Sequence, residues 1–223
     1  MFKPTSTALT RLWLMRLLPL VFLSALSVTA KPIAPDEMQV APLMNGQQIP
    51  QITLPDINGN PVDLLALTKT KPTVFFFYRG GWCPFCNIQM GQLKSIEPKL
   101  IEMGFQLVGI SPDSPEKLKA SINKNKLDYL LLSDEKLEAA QAFGIAYYTS
   151  AKVTQVYREK LGLDNKLWPM ENGEMRLVLP VPAIYMADNT GLIHFQYANP
   201  NYKVRASPKL ILTAASLIDP NAQ

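Results

Sequence analysis

The chain has 223 residues, 48% of them hydrophobic and 18% charged, which suffices for one well-buried domain. Its formal charge is +4, but Lys3, Arg11 and Arg16 fall within the first thirty residues, where there is no acid, so the remainder carries only +1. A nearly neutral body excludes the electrostatic footprint of a nucleic-acid-binding protein.

Those thirty residues have the layout of a cleaved export signal: a positive start, an apolar run from Leu17 to Val28, and Val28-Thr29-Ala30 as a cleavage site. The run is shorter than the roughly 20 apolar residues of a spanning helix, so no membrane span is expected after cleavage. The expected organisation is a signal peptide over 1–30, a proline-rich linker over 31–48 and one domain over 49–219, in a periplasmic or secreted protein.

In chain order, residues 52–54 and 62–64 flank Asn58-Gly59 and predict a short β-hairpin. Thr73 to Tyr78 is a run of β-branched and aromatic residues without alternation, as in a central strand buried on both faces. A helix is expected from the second cysteine to Gly104, bent or interrupted at Pro98. A strand over 105–110 follows, then a helix with Ser114 as N-cap and Pro115 in its first turn. A third strand covers 129–132, and Asp134 caps a helix through Phe143, stopped at Gly144.

Residues 147–180 break this rhythm and read as an insertion, helical over 153–161 and a loop over 162–173. A strand from Pro180 to Met186, a turn at 189–191, a returning strand over 192–197 and a helix over 208–217 complete the chain. Alternating strands and helices predict a three-layer α/β domain with its site at the carboxyl end of a central strand.

Both cysteines, Cys83 and Cys86, lie in Phe77-Tyr-Arg-Gly-Gly-Trp-Cys-Pro-Phe-Cys86. A bond between them closes so small a loop that it constrains little in the unfolded chain, so redox work is the better reading. Cys83 is expected at the N-cap of the following helix, where free N–H groups stabilise a thiolate, with Pro84 at the first helical position and Cys86 one turn in. Cys83 then attacks, and Cys86 attacks Cys83 to release the product. Trp82 is expected as an apolar wall. Arg79 either lowers a thiol pKa or faces solvent. No cofactor beyond the Cys83–Cys86 disulfide is called for.

Strand, WCPFC and helix, with Val181-Pro182 far downstream, resemble the thioredoxin superfamily. The resemblance implies a thioredoxin-like three-layer fold, with a central mixed sheet flanked by helices, an N-terminal hairpin and an insertion before a cis-proline strand. It makes Pro182 the cis-proline and Val181 the neighbour that pairs with substrate backbone. Tyr78 to Cys86, Gly109 to Pro115, Leu132 to Glu135 and Ala187 to Gly191 further resemble the peroxiredoxin-like branch of the AhpC/TSA family. That family's pattern is P-x-x-x-T-x-x-C with a later arginine. Aligned on Cys86, this chain has Arg79 for the proline, Cys83 for the threonine and Pro182 about where the arginine is expected.

Three functions follow. The first is a thiol–disulfide oxidoreductase acting on protein or small-molecule thiols and disulfides. The alternative is a thiol peroxidase that reduces hydroperoxides and is recharged by a thioredoxin-like electron donor. The distant third is a copper or zinc site built from both thiolates and His194, one ligand short of a structural zinc site.

Overall fold

The computed structural model describes residues 31–219, and the expected signal peptide lies outside these. The hairpin forms as read: β1 (Thr53–Pro55) pairs antiparallel with β2 (Pro61–Asp63) around Gly59, whose φ is +84°. A helix the sequence reading missed follows at once, α1 (Leu64–Thr70). Asp63 is its N-cap, its carboxylate accepting from the Ala66 N–H at 2.9 Å.

β3 (Thr73–Phe77) is buried along its whole length. It leads to α2 (Pro84–Glu102), which runs through Pro98 as one helix where an interruption was open. β4 (Gln106–Ser111), α3 (Pro115–Asn125) and β5 (Leu130–Ser133) follow close to expectation, with Ser114 at the N-cap of α3. The N-cap residue of α4 (Glu138–Ala142) is Leu137 and not the expected Asp134, whose oxygens nonetheless accept from the first-turn N–H groups of Ala139 at 2.9 Å and Ala140 at 2.8 Å.

The insertion is a small sheet with a helix. β6 (Ala146–Tyr148), α5 (Ala151–Leu161), β7 (Leu167–Pro169) and β8 (Met175–Pro180) give the strand order β6-β8-β7, antiparallel throughout. Trp168-Pro169, expected in a loop, is therefore strand, its backbone paired with Met175 and Arg176. β9 (Ala183–Ala187) and β10 (Ile193–Ala198) form the closing hairpin before α6 (Pro208–Ser216).

The main sheet has the order β10-β9-β3-β4-β5, with β3, β4 and β5 parallel and β9 antiparallel to both of its neighbours, β3 and β10. β3 at its centre explains the unbroken apolar run, because each face needs its own layer. Phe75 and Phe77 pack on Phe143, and Phe77 also meets Tyr185 edge-on. Val74, Phe76 and Tyr78 point the other way, into a core shared with Met90 and Leu93 of α2 and Ile211 of α6. This is the expected central mixed sheet between two covering layers.

Residues 31–48, expected as a linker, pack instead on the domain. Ala34 bridges to Tyr147, Gln48 to Leu192, and Ala34 and Leu43 are buried. Close approach explains Gly144, where the Ala41 carbonyl would lie 2.0 Å from any Cβ.

Candidate active site

The site begins where β3 ends. The Tyr78 N–H still donates to Ile110 O at 3.0 Å, and then the chain leaves the sheet. Gly80 turns it with φ +138°, and a side chain there would meet Trp82 Nε1 at 2.4 Å and Asp113 Oδ1 at 2.8 Å. The Gly81 N–H donates to Asp113 Oδ2 at 2.7 Å. Asp113 is itself buried, and burial raises its pKa although the Gly81 bond opposes this.

Cys83 is the N-cap of α2 with extended backbone (φ −83°, ψ 118°), and Pro84 opens the helix. The Cys83 carbonyl accepts from Cys86 N at 3.0 Å and from Asn87 N at 3.1 Å. Asn87 Nδ2 bonds back to Gly81 O at 2.9 Å, which ties the turn to the helix. Both cysteines are free thiols here, 1% and 0% exposed, so a substrate reaches neither without local opening.

The two sulfurs are unequal. The Cys86 thiol donates to Cys83, and with the Cys86 N–H and the charges of Arg79 and Arg205 this lowers the Cys83 pKa to about 6 against the effect of burial. Burial pushes Cys86 well above its ordinary value, and the adjoining Cys83 charge adds to this.

Arg79 does not face solvent. It is 2% exposed, among the largest fully buried side chains. Its guanidinium carbon lies 4.1 Å from the ring centroid of Tyr202, 5.2 Å from that of Trp82 and 5.3 Å from that of Tyr157. Nη2 donates to the Tyr157 hydroxyl at 2.7 Å, while Nε and Nη1 have no partner. Trp82 packs edge-on against Tyr157 at 5.1 Å between ring centroids, so α5 of the insertion walls the site.

A second cation comes from the loop between β10 and α6. Arg205 Nη2 lies 3.4 Å from Cys86 Sγ, Nη1 donates to Gln89 Oε1 at 2.7 Å, and Nε donates to Tyr202 O at 2.8 Å. Tyr202 also packs edge-on against Phe85, with ring centroids 5.7 Å apart. Sequence reading missed Arg205, Tyr202 and Tyr157. Only the fold carries Arg205 to a cysteine 119 residues earlier, and no spacing rule reports such a pairing.

Val181 and Pro182 need correction. Every peptide bond among the described residues is trans, so Pro182 is not a cis-proline. The chain stays extended here because it crosses from β8, paired to β6, to β9, paired to β3. The Val181 N–H already donates to Ile145 O at 2.8 Å, and Pro182 O accepts from Asn199 N at 3.3 Å. Val181 therefore has no free donor for a substrate strand.

His194 belongs to the other end of the sheet. Ala187 pairs with Thr73 at the start of β3 and with Ile193, whereas the thiols follow its end. His194 Nε2 is 2.7 Å from Asp188 Oδ2, and no cluster of three or more metal-ligating side chains occurs among the described residues. Nor is any described helix long and apolar enough to cross a membrane.

Comparison with known proteins agrees with this architecture. Peroxiredoxin Bcp of Escherichia coli K12 is 35% identical over 104 residues, covering 47% of this chain and 66% of that protein. Chloroplastic peroxiredoxin Q of Sedum lineare is 37% identical over 105 residues, covering 47% and 56%. The matches thus span just under two thirds and just over half of these relatives. Among solved structures, peroxidoxin BcpB of Mycobacterium tuberculosis superposes with a TM-score of 0.60 at 20% identity, over 79% of this chain and 99% of the other. Reduced Prx3 of Vibrio vulnificus in complex with H2O2 gives 0.62 at 17% identity, over 78% and 99%. These two show the shared thioredoxin-like fold. The model of the AhpC/TSA family matches residues 45–196, and the chain belongs to that family.

Proposed function

We propose that this chain is a thiol-based oxidoreductase that cycles between the Cys83/Cys86 dithiol and a Cys83–Cys86 disulfide. One observation carries the reading: two free, buried cysteines at the start of α2, Cys83 at its N-cap and Cys86 one turn in, with the pKa of Cys83 lowered to about 6 and that of Cys86 raised by burial. Cys83 is the attacking sulfur, since only a thiolate is a competent nucleophile. Cys86 is the resolving sulfur, and Arg205 stands ready to stabilise its charge as its proton leaves.

In thiol–disulfide exchange, the Cys83 thiolate attacks a substrate disulfide and one substrate thiolate departs. Cys86 then attacks Cys83 Sγ, and the second substrate thiol leaves. The exchange is reversible, and protein and small-molecule thiols and disulfides are the substrate class.

A second reading has a hydroperoxide as the oxidant. Family membership and the peroxiredoxin relatives favour it, and so does a guanidinium at Cys86, the position aligned with the family's cysteine. There one of the two sulfurs, Cys86 or Cys83, attacks the terminal peroxide oxygen, the O–O bond breaks and an alcohol leaves. The other sulfur displaces water from the resulting sulfenic acid, and an external thiol donor, such as a thioredoxin-like protein, reduces the disulfide. An oxidising compartment outside the cytoplasm suits both readings, as the apolar run of 17–28 suggests.

The test mixes reduced protein with one equivalent of hydrogen peroxide or of a small disulfide and counts the thiols left on the protein by alkylation and mass spectrometry. Loss of two thiols to either reagent, abolished by Cys83→Ser, supports the reading, and the faster reagent identifies the oxidant. Thiols that survive both reagents would refute it.

A further inference from the structure

Arg79 presents a problem in physical chemistry. Among the described residues no carboxylate lies within ion-pair distance of it, yet it is 2% exposed. Burying an unpaired cation costs several kcal/mol even after relaxation. Three aromatic faces and one hydroxyl offset part of that, while Nε and Nη1 remain without acceptors. Behind Tyr147 and Tyr157, the next group whose charge acts on it is Cys83, four residues on at the N-cap of α2, and Cys83 feels Arg79 in turn. Other groups facing this pair are Cys86 on α2, Tyr147 on β6, Tyr157 on α5 and Arg205 before α6. Tyr202, before α6, lies over the guanidinium as well, and none of these groups is a carboxylate.

Forming the Cys83–Cys86 bond removes the Cys83 thiolate. We propose that Arg79 is a positioning residue for the redox couple, a caged counter-charge that stabilises the dithiol and makes the disulfide more oxidising than the same four-residue motif in an unfolded chain. This rests on the oxidoreductase reading above and gives the cycle a direction. The protein passes its disulfide to thiols, and a hydroperoxide restores it.

The transfer balances. A thiolate RS⁻ attacks Cys83 Sγ, the Cys83–Cys86 bond breaks, and Cys86 leaves as a thiolate beside Arg205 and takes a proton. A second RS⁻ attacks the R sulfur, and Cys83 leaves as a thiolate beside Arg79. Two electrons pass from two thiols to the protein, and the product is RSSR. Each leaving sulfur departs next to a guanidinium, which speeds a step governed by leaving-group stability. Reoxidation consumes ROOH and yields ROH and water. A thiol held at about 6 rather than 9 favours the dithiol by about tenfold at pH 7.

The experiment equilibrates wild type, Arg79→Met and Arg79→Lys with glutathione redox buffers and reads the dithiol/disulfide ratio. At pH 7, Arg79→Met should hold its disulfide about twofold to threefold more firmly, a part of that tenfold because the Cys86 hydrogen bonds and Arg205 remain, where threefold is ~14 mV for this two-electron couple. Arg79→Lys, which keeps the charge, should stay close to wild type. At pH 4.5, where Cys83 is protonated in all three, the ratios should converge. A ratio that Arg79→Met leaves unchanged at pH 7, or a shift that persists at pH 4.5, overturns the inference.

Should Arg79→Met fail to fold, wild type alone decides. The dithiol form should melt at higher temperature than the disulfide form at pH 7, and the reverse order overturns the inference. If no Cys83–Cys86 bond forms at all, it is the oxidoreductase reading that fails.

Discussion

Arg205 Nη2 sits 3.4 Å from the sulfur of Cys86, the less acidic of the two thiols. Gln89 Oε1 and Tyr202 O fix the guanidinium in place, so the cation is aimed before any charge appears. Arg205→Met should therefore slow resolution about tenfold, the scale of one lost charge-assisted hydrogen bond of roughly 1.5 kcal/mol. The lifetime of a mixed disulfide on Cys83 should lengthen, with the attack rate of Cys83 changed far less. Mass spectrometry of quenched time points separates the two steps.

Tyr202 stands beside the dithiol motif, its ring against the Arg79 guanidinium and edge-on to Phe85. With both sulfurs at most 1% exposed, local opening is needed before reaction, and the loop between β10 and α6 borders the site. Tyr202→Ala should raise the alkylation rate of Cys83 several-fold without slowing thiolate formation. An unchanged rate in a folded variant would show that access lies elsewhere.

The stability of the reduced protein should depend on pH through Cys83. Its folded pKa is lowered from 9.0 to about 6, so the thiolate contributes stability that is fully present above pH 9 and is lost as pH falls toward 6. Urea midpoints of the reduced protein, compared with Cys83→Ser, should diverge across that window and run parallel below pH 5.

Gly80 holds φ +138° where a Cβ would strike Trp82 and Asp113. Gly80→Ala should cost about 1–3 kcal/mol, the range for a non-glycine residue in sparsely populated backbone space. Because Trp82 must move, the reactivity of Cys83 should change along with the urea midpoint.

The strands and helices of the main sheet were legible because each has a strong local signal: the apolar run at 73–78, Ser114-Pro115, and glycine at 144. The dithiol was legible because N-cap, proline and cysteine are neighbours in sequence. α1 was missed because seven residues carry too little periodicity. Residues 31–48 looked like a linker because prolines hide how Ala34 and Leu43 bury themselves on a distant edge. Arg205, Tyr157 and Tyr202 were illegible for a different reason: α5 and the loop before α6 reach the thiols only through tertiary packing. The fate of Arg79 followed from the same contacts, since nothing local told a caged cation from a solvated one. Pro182 misled because a Val-Pro pair reads alike in cis and trans.

The central claim is that the two sulfurs are unequal and that Cys83 is the nucleophile. Alkylation of the reduced protein by iodoacetamide between pH 4 and 10, with the labelled cysteine identified by mass spectrometry, tests it most directly. Cys83 should label first, with an apparent pKa of about 6, and Cys86 should remain thiol well beyond pH 9. Labelling of Cys86 first, or of both thiols together near pH 9, would contradict the account.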